Sequence, residues 1–390
     1  MPGLVDAHCH ITYGEMNAVE ELWFYTPPEF GALRAAWNCK RVLRAGVTTI
    51  SDPNSLHNIG PALRDAIACG MVEGPRMLTA GAALTALHGT GLSDRIRGFA
   101  GIVAVDGVEA AIKEVRRQIN EGADFIKLIG SAEATTGNAV PGRELRTCSF
   151  NEVKAIVEEA HALGRKVAVH ARAGDAAADA ARAGADWIFH GSFMTEAQLD
   201  QVAKSGAVLL PTLTYLAKMA EWGVKVGTST FLVNLCQLEL KAAARILSRA
   251  RELGVPMLIG TDAGFSVVPY GEWHAREMEL FVEYLGYSPI EALVGMTKEN
   301  ARLLGMEGVG VLDVGKVGDV IVVEGDPTAD VRILQDKSRI TVVIKQGRII
   351  DLGDDGRERT EMPYERVHPM ATEWLTYEKV RGSQARGSAL

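Results

Sequence analysis

The chain has 390 residues, 47% of them hydrophobic and 23% charged, an ordinary globular composition that excludes a disordered or collagen-like polymer. Against 41 basic residues stand 49 acidic ones, a net charge of −8, so the overall balance attracts neither nucleic acid nor an anionic lipid surface. No apolar run approaches the roughly 18 residues of a membrane span, and Cys9, Cys39, Cys69, Cys148 and Cys236 never pair as CxxC. That spacing argues against a disulfide framework or zinc ribbon and for a reducing, cytoplasmic setting. The opening string MPGLVDAHCH lacks the basic-then-apolar order of a secretion signal.

Up to about residue 308, short apolar runs alternate with longer stretches of helical periodicity. Strands are predicted at 4–7, 47–51, 77–80, 125–129, 167–170, 187–190, 208–210 and 257–260. None alternates polar with apolar residues, as expected of strands covered on both faces in a parallel sheet. Helices are predicted over 33–45, 109–120, 152–163, 175–183, 195–203 and 233–253, with Gly46, Gly164, Gly184, Gly206 and Gly254 standing where such helices stop. Eight buried strands, each followed by a helix, place the chain in the α/β class as a (β/α)8 TIM-like barrel over 1–308. Beyond it, 319–324 and 340–345 are rich in Val and Ile and 347–351 reads as a hairpin return, giving a small appended β domain over 309–353. Residues 354–390 form a polar tail, apolar only near 374–377 and expected to fray at its end, RGSQARGSAL.

The unusual polar residues fall into register with that strand map. His8 and His10 follow the first strand, Lys127 interrupts the apolar FIKLIG of the fourth, His170 ends the fifth, His190 ends the sixth, and Asp262 follows the eighth. C-terminal strand ends are where barrel active sites assemble. Two residues apart on an extended chain, His8 and His10 point toward the barrel axis, with Cys9 toward the helix layer. Neutral imidazoles with a carboxylate suit Zn²⁺ or a similar divalent ion, and four imidazoles plus Asp262 exceed the three protein ligands of one catalytic zinc. Two metals use them all.

An ammonium at Lys127 beside two cations is unfavourable. A buried lysine deprotonates readily, and its neutral amine can capture carbon dioxide to become a carbamate (N6-carboxylysine), an anion with two oxygens able to bridge both metals. The blander alternatives are strand-end histidines packed in a core and a lysine that snorkels or pairs with an acid. Each explains one residue, not the alignment of six. His57, His161 and His368 lack such placement and are read as non-catalytic; His161, beside Glu158 and Glu159, reads as part of a solvated helix face.

The strings VDAHCH, RVLRAGVTTISD, ALRDAIACG, GPRMLTAG, DFIKLIG, VAVHARA, DWIFHG, LIGTDAG and KVGDVIVVEGDP resemble the amidohydrolase superfamily along nearly the whole chain. Within it the strings look most like the imidazolonepropionase-like and prolidase-like branch of metal-dependent amidases. The resemblance implies a binuclear centre in which His8, His10 and Asp262 hold the more buried ion and His170 and His190 the more exposed one, bridged by carboxylated Lys127. It also implies that His88, in TALHGTG after the third strand, contacts substrate, and that Tyr215, in PTLTYL after the seventh, polarises the scissile carbonyl. Loop packing and a half-buried barrel-top aromatic are their alternatives. Relatives usually carry a run of strands before HxH; here the first strand comes almost at once, so either this start lies downstream of the natural one or the small β domain, a sandwich in the family, is reduced and lacks its N-terminal half.

The chemistry implied is metal-assisted hydrolysis of a carbon–nitrogen bond. Two cations, zinc by donor type and family resemblance, lower the pKa of a shared water, to about 7 in single-zinc precedents. Asp262 takes the proton and returns it to the leaving group, and Tyr215 helps hold the developing oxyanion. Arg172, two residues past His170, is placed either to take a substrate carboxylate or to form a salt bridge at the rim. Trp23, Phe24 and Tyr25 offer an apolar wall or simply pack their loop. Together these suggest a small N-acyl amino acid or dipeptide-like substrate with a bulky apolar part, cleaved by a homo-oligomer with no nucleic-acid or membrane partner. Carbamate or aryl-amide hydrolysis shares the chemistry and differs only in the pocket. Ring deamination ranks lower, because related deaminases use one metal and a glutamate where this chain has Ala173. A catalytically dead binding protein is opposed by the complete ligand set.

Overall fold

The computed structural model describes residues 1–16, 27–87, 101–132, 145–353 and 374–385. Three parallel strands, β1 (Leu4–Asp6), β2 (Val47–Asp52) and β3 (Arg76–Thr79), pair in chain order. A second parallel run carries β4 (Ala83–Thr85), β5 (Ile102–Ala104), β6 (Phe125–Ile129), β7 (Lys166–Ala173), β8 (Trp187–Phe193) and β9 (Val208–Leu210), in the order β5-β4-β6-β7-β8-β9. The two runs meet where the Asp124 N–H donates to Thr79 O (2.8 Å) and Ala80 bridges Phe125. The short β4–β5 pair is an addition to the predicted strands, seated on β6 through Leu84 and Leu128.

The eighth stave departs from expectation. Residues 257–263 close the cylinder without forming a regular strand. Leu258 N–H donates to Leu209 O (2.8 Å), Ala7 N–H to Ile259 O (3.1 Å) and Asp262 N–H to His8 O (2.8 Å). Two local features break the ladder. A Cβ on Gly260 would lie 2.6 Å from the His8 nitrogen, so the two backbones cross closely there, and Asp262 is left-handed with φ 61. Asn300 staples the seam, donating to Val5 O (2.6 Å) and Ile259 O (2.7 Å) and accepting from Ile259 N–H (2.8 Å).

Alternation along the strands separates two apolar layers. Val5, Phe125, Ala168, Trp187, Phe189, Leu210 and Leu258 cluster inside the barrel. Their neighbours Leu4, Ile126, Leu128, Val167, Val169, Ile188 and Leu209 pack against the helices. All five predicted stop glycines, from Gly46 to Gly254, have positive φ, a conformation they adopt without steric cost.

The appended sheet is antiparallel, in the order β10 (Val320–Val323), β11 (Ile340–Lys345), β12 (Arg348–Ile350). The first residues of the chain border it: Pro2 bridges Val320, and Ile321 N–H donates to Met1 O (3.0 Å).

The apolar stretch 374–377 of the tail is anchored: Leu375 is buried, donates to Ser266 O (3.2 Å) and accepts from Trp273 Nε1 (2.6 Å). The helix Tyr377–Ala385 follows with Val380 buried. An apolar anchor and two buried hydrogen bonds offset the ordering entropy that the polar composition alone would leave unopposed. Residues 386–390 lie outside the described residues.

Candidate metal centre

β1 ends at Asp6, whose wholly buried carboxylate organises the first ligand loop. It accepts the His8 N–H (3.0 Å), the Thr261 N–H (3.1 Å) and the Thr261 hydroxyl (2.6 Å), and faces His274 Nδ1 at 2.7 Å. One side chain thus ties the start of the HxH turn to the residue preceding Asp262. The result is a compact triangle. His8 Nε2 and His10 Nε2 lie 3.1 Å apart, and Asp262 Oδ1 is 3.3 Å from the first and 3.1 Å from the second. Such edges are those of one face of a tetrahedron whose centre lies about 2 Å from each ligand atom, the bond length of a zinc site.

Electrostatics favour the same use. Burial pushes His8 down to about 4, with Asp262 acting against it. Burial alone would raise Asp262, but the charge of His8 and hydrogen bonds from both histidines hold it well below the usual carboxylate range. At neutral pH the triangle therefore offers a neutral His8 imidazole and an ionised carboxylate, the donor set a divalent cation takes.

A second pair sits across the barrel mouth. His170 ends the inward-facing row of β7. Strict alternation would turn His190 outward with Ile188, but its left-handed backbone (φ 71) brings its Nε2 to 2.8 Å from His170 Nδ1. Its other nitrogen, Nδ1, lies 2.6 Å from the Thr212 hydroxyl, which fixes the ring as an outer partner does for a metal-bound imidazole. Burial, then the charge of Arg172, pushes both histidines well below their ordinary value. The His8 and His190 ring centroids are 5.9 Å apart, so the triangle and the pair face one space.

Lys127 points into that space, one layer above Phe125. Only 3% exposed, its Nζ lies 4.2 Å from the centre of the Phe189 ring, which in turn lies 4.7 Å from His8. Its positive charge depresses both His8 and His170. The structure thus brings together all six predicted ligand positions.

Tyr215 stands in the first turn of the helix Leu213–Trp222, directly after Thr212, and is buried. Its ring lies 4.9 Å from Phe265, which lies 5.8 Å from Tyr13, itself stacked on His10 at 4.0 Å. These aromatics form a wall beside the triangle. Glu277, on the helix Arg276–Leu285, accepts Leu213 N–H (2.7 Å), Thr214 N–H (2.7 Å) and the Thr214 hydroxyl (2.6 Å). Burial pushes its carboxyl up to about 8, with those three donors acting against the shift.

Of the two roles open to Arg172, the ion pair is present. Buried like its partner, it pairs through Nη1 with Glu239, which also accepts the Ser192 hydroxyl at 2.7 Å. His161 is exposed, as expected of a solvated helix face, and faces Asp186 at 2.8 Å; His57 is exposed as well. His88, Trp23, Phe24, Tyr25 and His368 lie outside the described residues. Asp6, His274, Thr212 and Glu277 were not foreseen, since a threonine after a strand or an acid on a distant helix carries no local signal.

The sequence profile of the amidohydrolase family matches residues 1–350. Ochratoxinase from Aspergillus niger is 29% identical over 375 residues, spanning 90% of this chain and 75% of that protein. Its crystal structure aligns with a TM-score of 0.78 at 26% identity, over 92% of this chain and 86% of that one. A prolidase solved with N-methylphosphonate-L-proline aligns equally well, with a TM-score of 0.78 at 28% identity, over 90% and 86% of the two chains. Imidazolonepropionase from Symbiobacterium thermophilum is 32% identical over 221 residues, 54% of this chain and 45% of that protein.

Proposed function

The chain belongs to the amidohydrolase family and is a hydrolase acting on carbon–nitrogen bonds, and from that premise we propose that it cleaves the amide bond of a small N-acyl amino acid or dipeptide-like substrate with two divalent ions, zinc by donor type. The observation that carries this is the convergence of His8, His10 and Asp262 at 3.1–3.3 Å opposite His170 and His190 at 2.8 Å. The triangle would hold one ion and the pair the other. Lys127, as N6-carboxylysine, would supply the bridging anion; that change of sign removes the repulsion an ammonium exerts on His8 and His170.

When bound, the ions supply a water of lowered pKa and a Lewis acid for the carbonyl. The rest is done by side chains. Asp262, ionised at the edge of the triangle, takes the proton of the attacking water and delivers it to the leaving nitrogen. Tyr215 donates its phenolic hydrogen to the carbonyl oxygen as negative charge develops there. His88, which lies outside the described residues, would contact the substrate by the family resemblance alone. The wall of Tyr13, Phe265 and Tyr215 supports a bulky apolar group on the substrate, and desolvates it on binding. A substrate carboxylate would have to share Arg172 with Glu239, so an anchoring role for Arg172 requires the two acids to sit on different edges of one guanidinium.

The relatives favour the same substrate class: one is a prolidase crystallised with a proline phosphonate and another an ochratoxinase. The test is a hydrolysis screen of the metal-loaded protein against dipeptides and N-acyl amino acids, with metal content measured on the same sample. Turnover within either class is expected. No turnover of either class by fully loaded protein, with cleavage of a carbamate or aryl amide instead, overturns the substrate assignment.

A further inference from the structure

The helix Leu213–Trp222 begins in an unusual way. Its N-cap residue, Thr212, makes no side-chain cap and has a left-handed backbone (φ 53). An N-cap threonine ordinarily takes extended angles and uses its hydroxyl to accept an amide of the first turn. Here that hydroxyl is engaged with His190. The orphan amides of the first turn are satisfied from elsewhere: Leu213 and Thr214 donate to Glu277, 64 and 63 residues away.

We propose that Glu277 is a positioning residue for hydrolysis: by capping this first turn from a distance, it frees Thr212 to orient His190 and sets Tyr215 against the reacting carbonyl. The proposal rests on the role given to Tyr215 above. Three features support it. Glu277 is fully buried and makes three short contacts to two consecutive residues, a two-point grip that fixes both position and direction. A β-branched residue in the left-handed region is strained and persists only where its surroundings over-determine it; Glu277 on one side and His190 on the other supply that constraint. Finally, Thr212, Leu213, Thr214 and Tyr215 are consecutive, so one carboxyl group governs a supporter of the second histidine pair and the phenol together. A plain helix cap would serve stability alone, and the experiment separates the two roles.

Glu277→Gln replaces one acceptor oxygen by a donor, which then faces the N–H of Leu213 or of Thr214 according to the amide's orientation. Thr214→Val, which removes only the hydroxyl contact, is the milder second variant should the first unfold. Hydrogen–deuterium exchange of the metal-loaded full chain is expected to quicken at least about tenfold in peptides covering 212–216 and to stay unchanged in the helix Thr230–Glu252. On the best substrate of the screen, kcat is expected to fall about ten- to a hundredfold with KM nearly constant, less in Thr214→Val. In a Tyr215→Phe background the same substitution is expected to cost clearly less than in the wild type, because the part of its effect that runs through Tyr215 is already lost. Fully multiplicative effects, or unchanged exchange over 212–216, overturn the inference while leaving Tyr215's role intact. Wild-type kcat in Tyr215→Phe overturns that role and the inference with it.

Discussion

Asp262→Asn tests the proton-handling role with the least disturbance to the site. The backbone at Asp262 is left-handed, with φ 61, and its N–H donates to His8 O at 2.8 Å. Asparagine tolerates that conformation as well as aspartate does, whereas alanine does not, so Asn isolates the charge. The amide oxygen can still occupy the corner of the triangle, 3.1 Å from His10 and 3.3 Å from His8, so most of the metal should remain bound. Only the proton acceptor disappears. General-base catalysis contributes about 10²- to 10⁴-fold, equivalent to about 3–5 kcal/mol of barrier, and kcat should fall by that factor. The assay pairs steady-state hydrolysis with elemental analysis of the same sample, so that rate is expressed per metal-loaded chain. A variant with the wild-type metal content and a kcat within about threefold of the parent would refute the assignment. Loss of metal in proportion to loss of rate would reassign Asp262 to ligation alone.

Three further outcomes follow from buried charge. If Lys127 is carboxylated, reconstituting the wild type in carbon-dioxide-depleted buffer should lower metal uptake and activity, and added bicarbonate should restore both; a Lys127→Gln chain should be indifferent to bicarbonate, and equal metal uptake by wild type with and without it would count against the carbamate. Arg172→Met strands Glu239, whose side chain is 9% exposed, leaving Ser192 as its hydrogen-bond donor among the described residues. Breaking a buried pair costs about 3–5 kcal/mol, expected as a Tm fall of about 5–10 °C and partly recovered in Arg172→Met/Glu239→Met. Selective loss of turnover for carboxylate-bearing substrates over carboxylate-free analogues would add the anchoring role, and unchanged selectivity would remove it. Lys218, against the Trp273 ring at 3.7 Å and Glu221 at 3.2 Å, is pushed down to about 8 by burial. Between pH 8 and its unfolded value near 10.5 the unfolded chain keeps a proton that the folded chain has lost, so stability rises with pH there. The Tm of the wild type relative to Lys218→Met should therefore climb from pH 8 to pH 10, and a flat difference would show that the lysine does not titrate in that window.

Much of the site could be found without coordinates, because its signals are local. A histidine, lysine or aspartate breaking an apolar run announces itself within five residues, as Lys127 does in FIKLIG, and the end of a parallel strand is a position the chain pattern marks. Stop glycines such as Gly184 and Gly206 are legible for the same reason: a single residue meets a conformational demand that others meet only with strain. Tyr215 is singled out only by the family resemblance, since a lone tyrosine after a strand has no such signature. Nothing in the pattern distinguished the eighth stave from its neighbours, because the crossing at Gly260 depends on where His8 lies, more than 250 residues earlier.

The sequence by itself determined the architecture and the candidate ligand positions: which segments are buried on both faces, where they end, and which polar side chains stand at those ends. The tertiary structure alone decided how those side chains are aimed and what their neighbours are. His190 turns inward against the alternation of its strand, Arg172 is claimed by Glu239, Asp6 joins His8 to Thr261 and His274, Glu277 caps a helix in place of Thr212, and the tail docks through Leu375. The physical reason is common to all of them. Apolar periodicity and turn preference are written in consecutive residues, whereas hydrogen-bond partners and left-handed backbones at 190, 212 and 262 are set by groups brought together only when the barrel closes.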